Sequence, residues 1–382
     1  MKILTNIRFY NVAGIAQSLS QFIAYIGHSR KNMRVIGVDI QRPGEARDDK
    51  RAFALKDSHF SLRHRTIDFI GIGDAIKQSH TLEDIKKLYE PIIAAYEQAI
   101  IKEQPDLVLL NGTYFLPWCL LQAANRQHKK TVLHYHGLLT KETENWFDHA
   151  RNIFGAMERS FDRDDMHYIF PSQLARQAVE ADVFGHTIKH ATIIPNPVPM
   201  HFFTKPRALK KKRKKDIGLV SRWTKIKNPQ FFASLAHHNK RHWDDMRFTS
   251  VTDLPTRHIV KTKFRNVITF QPAVSNKNLA AFYRSMDVII SPSHFETYGN
   301  VAQEAVASGT PALISANMGV AETFKSLGLE HLIVSFDSVA SVHRKIREIS
   351  NQGIDPEVQY QMREMLNPSV LHEKLYTTIR KV

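Results

Sequence analysis

Cysteine is nearly missing from this chain: Cys119 stands alone among 382 residues. One thiol excludes an internal disulfide framework and a cysteine-rich metal site, and it makes a reducing compartment, the cytoplasm, the expected home. Long apolar runs are missing too. The most apolar stretch, TYFLPWCLLQAA, is shorter and more interrupted than the roughly 20 residues a membrane-spanning helix needs, so the expectation is a soluble or peripheral protein. The opening MKILTNIRFYNVAGIAQSL has neither an uninterrupted apolar core nor a small-residue cleavage site, and it reads as a strand followed by a helix rather than an export signal. No Gly-x-Ser-x-Gly or paired Cys-His signature is found, which leaves hydrolase chemistry without support. Acidic residues are the minority, 37 Asp plus Glu against 53 Lys plus Arg, for a formal net charge of +16.

That positive charge is unevenly placed. Residues 201–265 hold 18 Lys or Arg against 4 acids, a local +14, while residues 1–200 hold 25 against 22, a local +3. At its centre KKKRKK, Lys210–Lys215, has the composition of a solvated linker, and equally of a patch for an anionic membrane, a nucleic acid or a polyanionic substrate.

Short β-rich runs alternate with longer amphipathic ones along the chain, and 382 residues are enough for two domains. KILTNIRF, NMRVIGVDI, DLVLLN, KTVLHYH, MHYIF and ATIIP read as strands of a first half. DIGLVS, MRFTSV, NVITF, MDVIIS, PALIS and HLIVS read as strands of a second, and roughly residues 355–381 as helical in pattern. Alternation of this kind predicts parallel sheets with helical crossovers, which bind ligands at the carboxyl ends of their strands.

The stretch HFETYGNVAQEAVASGTP follows the strand MDVIIS. Gly299 permits an unusual turn, and the helix it opens points free N–H groups and a positive dipole end at whatever sits there, which suits a phosphate. Glu296 and Glu304 flank that anion site, where they fit hydroxyl groups better than phosphate oxygens. Helix-dipole and surface roles are the plain alternative for both. Arg222 and Lys227 lie just past the strand DIGLVS, and membership of the basic patch is the plain alternative for both. Gly14 lies in the first strand-helix turn. Asp162 and Asp164 form a literal Asp-x-Asp but precede a strand, and His238 and His242 are spaced four apart without a third ligand. No metal site is expected.

SPSHFETYGNVAQEAVASGTPALIS, with its E-x7-E pair, resembles the donor-site signature of retaining GT-B glycosyltransferases of the family 4 type. GLVSRWTKIKN, ATIIPNPV, VLHYHG and GVAETF are similar to further segments of that family, in its order, over about residues 130–325. FTSVTDLP stands where the family commonly has a Gly-x-Gly turn.

The resemblance implies an α/β chain with GT-B architecture, two Rossmann-like doubly wound domains facing a central cleft. It divides the chain into an acceptor-binding domain over 1–200, a basic linker over 201–216, a nucleotide-sugar-binding domain over 217–366, and a C-terminal helix over 367–382 that packs back on the first domain. It also implies a metal-independent, cofactor-free hexosyl- or N-acetylhexosaminyltransferase. The implied catalytic residues are Glu296, Arg222, Lys227 and His136, with His136 beside the donor sugar. The implied donor-binding residues are Glu304, Tyr298, Gly299, Asn300, Val301, Asn196 and Gly14. The expected partners are a nucleotide-sugar donor, a UDP-sugar first, and a glycan or lipid-linked acceptor, in cytoplasmic synthesis of bacterial surface polysaccharide. An anionic membrane through Lys210–Lys215 is a further expected partner, and nucleic acid is not expected. Two other readings stay open: a nucleic-acid- or polyanion-binding protein using residues 201–265, and a GT-B fold that binds glycan without catalysis.

Overall fold

The computed structural model describes residues 1–8, 14–45, 59–203, 214–253, 263–273 and 276–382, without the side chains of 14–17 and 276–277. The first sheet contains β1 (Lys2–Asn6), β2 (Arg34–Gln41), β3 (Phe60–Thr66), β4 (Leu107–Asn111), β5 (Thr131–His134), β6 (His167–Phe170) and β7 (Ala191–Ile193), in the spatial order β3-β2-β1-β4-β5-β6-β7. A second sheet contains β8 (Lys215–Val220), β9 (Met246–Thr252), β10 (Ile268–Pro272), β11 (Val288–Ser291) and β12 (Ala312–Ile314), in the order β10-β9-β8-β11-β12. All paired strands are parallel, so each connection must cross over, and helices carry the crossovers. The central strands are buried along most of their length, which is why LVLLN and VIIS are near-continuous apolar runs. In each sheet the order reverses beside the first strand, between β1 and β4 and between β8 and β11. Doubly wound sheets bind ligands at that reversal.

Internal contacts divide the chain into two units: Met1–Pro171 with Ala175–Ile194 and His372–Val382, and Ser172–Leu174 with Pro195–Leu371. The first unit therefore stops at Ile194 and recovers the end of the chain. Within it, His372 of the helix Pro368–Lys381 packs 6.1 Å from Phe22 and 5.7 Å from Tyr25, and Glu373 pairs with Lys31 at 2.7 Å. Cys119 is wholly buried in the helix Phe115–Arg126, and burial pushes its thiol well above the usual range, so it is inert.

Several local readings change or sharpen. HLIVS is not a strand: Glu330–Leu332 form a 3-10 turn, and one bridge, Ile314 to Ile333, follows, because β12 ends at Ile314 and offers no longer ladder. The closing segment is two helices, Pro356–Met365 and Pro368–Lys381, since Pro368 cannot continue the first and the Asn367 side chain accepts from the Ser369 N–H at 2.9 Å. Strand β3 has no hydrophobic run to announce it, yet it pairs with β2 along its whole length. Lys215 opens β8, which shortens the linker read over 201–216, and Lys214 pairs with Asp244 at 2.9 Å. Residues 204–213, with most of the KKKRKK run, lie outside the described residues.

Candidate active site

In the second unit the carboxyl ends of β8 and β11 carry the charged residues. After β8 the chain passes Arg222, which is exposed, and makes a 3-10 turn over Lys225–Lys227. The carbonyl of Ile226 in that turn accepts from the His294 N–H at 2.8 Å, which ties it to the loop after β11. This bond brings Lys227 Nζ to 3.1 Å from Glu296 Oε2. Glu296 Oε1 accepts from Ser293 Oγ at 2.6 Å, so both carboxylate oxygens are held. The Glu296 backbone is fixed on its other side, its N–H to Asn317 O and its carbonyl from Gly319 N, each at 3.1 Å.

Gly299 then turns the chain with φ at 118°, a conformation that L side chains avoid, and a Cβ there would meet Met318 Cε at 2.7 Å. It opens the helix Asn300–Ala307 without a side-chain cap, which leaves the N–H groups of Asn300 and Val301 for an anion. Asn196 Nδ2 donates to Asn300 Oδ1 at 2.8 Å, and the Asn196 carbonyl accepts from Gln303 at 3.3 Å. Tyr298 differs from the other expected donor-binding residues. Its ring is 2% exposed, its hydroxyl bonds Thr323 at 3.0 Å and its carbonyl accepts from Val320 N, so its side chain supports the turn from behind.

Glu304, one turn into the helix, accepts a 3.0 Å bond from the buried Tyr283 hydroxyl. Its carboxyl is only partly exposed, and desolvation pushes its pKa up to about 7 despite that bond. A pKa raised above the unfolded value means a stabilising contribution that is complete below 4.5 and lost as the pH rises through 7. Glu304→Gln, which keeps an acceptor for Tyr283, should therefore match the parent near pH 4.5. At about pH 8 it should exceed the parent by roughly 1–2 kcal/mol, a figure discounted for the partial exposure. Denaturant melts at both pH values check this, and equal stability at the higher pH would mean a fully solvated carboxylate.

The first unit has its own polar cluster where its strand order reverses. Asn6, ending β1, and Asn111, ending β4, exchange two bonds, Asn111 N–H to Asn6 Oδ1 at 2.9 Å and Asn6 Nδ2 to Asn111 O at 3.1 Å. His136, two residues past β5, donates from Nε2 to Asn111 Oδ1 at 2.8 Å. Desolvation lowers its pKa to about 4, so it stands as a neutral imidazole at physiological pH. Gly137 follows it, where a Cβ would lie 2.5 Å from Glu142 Oε1, the movable tip of an exposed side chain. Gly14 is the first residue of the helix Gly14–His28 after β1. Sequence reasoning missed Asn6 and Asn111; their one signal is an amide at the end of a buried strand. It also missed Ser293 and Tyr283, which act only through the two glutamates.

The Asp-x-Asp pair is committed elsewhere, Asp162 to His186 at 2.8 Å and Asp164 to Lys189 at 2.9 Å. His238 and His242 have ring centroids 4.6 Å apart, and among the described residues no group of three His, Cys, Asp or Glu side chains is placed to hold a metal.

Residues 202–365 match the family described as Glycosyl transferases group 1, and residues 72–202 match Glycosyltransferase Family 4. The chain belongs to the GT-B glycosyltransferases of the family 4 type. Among structures similar to this glycosyltransferase, sucrose-phosphate synthase from Thermosynechococcus elongatus has a TM-score of 0.76 at 14% identity, covering 100% of this chain and 99% of its own. An E. coli structure titled "Trehalose-6-phosphate from E. coli bound with UDP-2-fluoro glucose" has a TM-score of 0.70 at 13% identity, with 100% and 99% covered. Both likenesses concern the fold. A curated relative, D-inositol 3-phosphate glycosyltransferase of Paenarthrobacter aurescens, is 28% identical over 166 residues. That match spans 38% of this chain and 40% of the relative.

Proposed function

We propose that this glycosyltransferase is a retaining enzyme. It moves a hexosyl or N-acetylhexosaminyl group from a nucleotide diphosphate, a UDP-sugar first and a GDP-sugar next, to a glycan or lipid-linked acceptor in bacterial surface polysaccharide synthesis. The observation that carries the reading is the Lys227–Glu296 pair beside the uncapped helix end at Asn300, with Glu304 one turn further on. Cations and N–H groups converge there with carboxylates that accept from hydroxyls, the mixture a sugar nucleotide presents. The UDP-2-fluoro glucose bound in the similar fold supports the same donor class.

As the bond from the anomeric carbon to the diphosphate breaks, its electron pair leaves on the β-phosphate oxygen. Arg222, Lys227 and the N–H groups of Asn300 and Val301 stabilise that charge, with no metal required. Glu296 holds sugar hydroxyls, and Glu304 accepts from the ribose. On the first unit the neutral His136, held by Asn111, is a hydrogen-bonding group for sugar hydroxyls. The acceptor oxygen attacks from the face the diphosphate leaves, and its proton passes to a phosphate oxygen.

An α-linked donor should then give an α-linked product. The anomeric proton coupling in the product's NMR spectrum reads this for a sugar with an axial H2, and a β product from an α donor would overturn the mechanism. Hydrolysis of UDP-glucose, UDP-galactose, UDP-N-acetylglucosamine and GDP-mannose tests the donor class. A peripheral place at an anionic membrane through Lys210–Lys215 belongs to the same proposal. A polyanion-binding reading is weakened by pairing of cations from the basic segment: Lys214 with Asp244 at 2.9 Å, Arg247 with Asp216 at 2.7 Å, and Lys227 with Glu296 outside it.

A further inference from the structure

A cavity of about 380 Å³ opens beside Glu296 in the second unit, and its walls include Asn228, Ser293, His294, Asn317, Phe336 and Asp337. That volume lies within the roughly 300–1,000 Å³ of small-molecule sites. Three bonds join it to the candidate site. Ser293 Oγ donates to Glu296 at 2.6 Å, the Asn317 carbonyl accepts from Glu296 N at 3.1 Å, and Asn228 follows Lys227 directly.

The polar side chains around it are largely uncommitted. Asn228 starts the helix Pro229–His242 from a left-handed conformation, φ 48°, without using its side chain as a cap. His294 and Asn317 are anchored by backbone bonds, and neither side chain bonds another described residue. Phe336 is braced by Phe231, with centroids 5.1 Å apart at 83°. Asp337 accepts from the Ser335 hydroxyl, which orients its carboxylate.

The lining limits what the cavity takes. It holds no Lys or Arg and one carboxylate, so a phosphate finds no countercharge. A purely apolar ligand would bury the amides, the imidazole and the carboxylate without partners, at a cost for each. A ring with hydroxyls at its edge and an apolar face satisfies both the polar groups and the aromatic wall.

We propose that this cavity is a sugar-ring subsite beside Glu296, read by Asn228, His294, Asn317 and Asp337 with Phe336 against the apolar face. Its occupant is a neutral hexose-sized ring, either the transferred sugar of the donor or the terminal sugar of the acceptor. The proposal rests on the function proposed above and adds to it the residues that select the sugar.

The test fills the cavity without removing a polar group. Ala316 is an exposed wall residue, so Ala316→Trp places a large side chain there and Ala316→Ser serves as the control. UDP and GDP affinity should stay within about twofold in both variants, which shows an intact fold and nucleotide site. If the cavity holds the donor sugar, Ala316→Trp weakens the accepted nucleotide sugar from the panel above by about tenfold or more relative to its bare nucleotide. If it holds the acceptor sugar, hydrolysis without acceptor is unchanged and the acceptor KM rises by about tenfold. Hydrolysis and transfer both at the parent's level overturn the subsite.

Should the parent bind no nucleotide sugar, the function proposed above fails, and the cavity is judged by itself. Glucose, galactose, mannose and N-acetylglucosamine are then titrated against the His294 imidazole NMR signal. A sugar-dependent shift in the parent that is lost in Ala316→Trp supports the subsite, and no shift with any of the four overturns it.

Discussion

Arg222→Ala is expected to slow sugar transfer by about a hundredfold or more, the scale of removing one preorganised charge-stabilising group. The structure separates the two cations of the candidate site. Lys227 is balanced by Glu296 at 3.1 Å, whereas Arg222 is exposed just past β8 and makes no ion pair among the described residues. Its full charge is therefore available to the departing diphosphate, and its planar fork suits two phosphate oxygens at once. Single-turnover rates with a saturating nucleotide sugar measure the effect, and a rate within about threefold of the parent would remove Arg222 from the mechanism. The same assay in EDTA should keep its activity. Complete loss, restored by manganese, would instead assign charge neutralisation to a metal, and Asp162 and Asp164 would have to leave His186 and Lys189 to bind it.

Glu296→Ala should lower kcat by about a hundredfold while UDP affinity stays within about threefold. Both oxygens of Glu296 are positioned in the protein itself, by Lys227 and Ser293, so the carboxylate meets sugar hydroxyls without reorganising. Stability should fall far less than activity. The Lys227 and Glu296 side chains are 23% and 18% exposed, so the ammonium left behind resolvates, and a pair of this kind contributes about 1 kcal/mol or less. Calorimetry with UDP, a thermal melt and turnover distinguish the outcomes. Parallel loss of UDP affinity would place Glu296 on the nucleotide rather than on the sugar.

Much of the molecule was legible in local pattern. Buried parallel strands are apolar runs, so the strand at DLVLLN or MDVIIS announces itself, and the charged residues just past DIGLVS and MDVIIS stand out because polar side chains there end a buried run. The misses have equally local causes. Strand β3, FSLRHRT, pairs among the described residues with β2 alone, and its hydrogen bonds to that neighbour, not an apolar run, make it a strand. HLIVS has the composition of a strand but finds only one bridge to β12. Tyr298 stands inside the donor motif, yet its ring turns inward to Thr323, and spacing alone does not encode that choice.

The sequence by itself determined most of the element order, β3 and HLIVS apart, and the inventory of chemistry at the strand ends, because hydrophobic period and turn residues act over a few positions. Tertiary structure decided which of those residues meet. Strand order is a long-range property: the bond from Asp216 N–H to Asp287, 71 residues apart, helps set β8 beside β11, and with that pairing Lys227 comes to Glu296. It likewise decided the protonation of Glu304, since the carboxyl is raised to about 7 by the protein packed over it, and how much water a side chain loses follows from packing rather than from its neighbours in sequence.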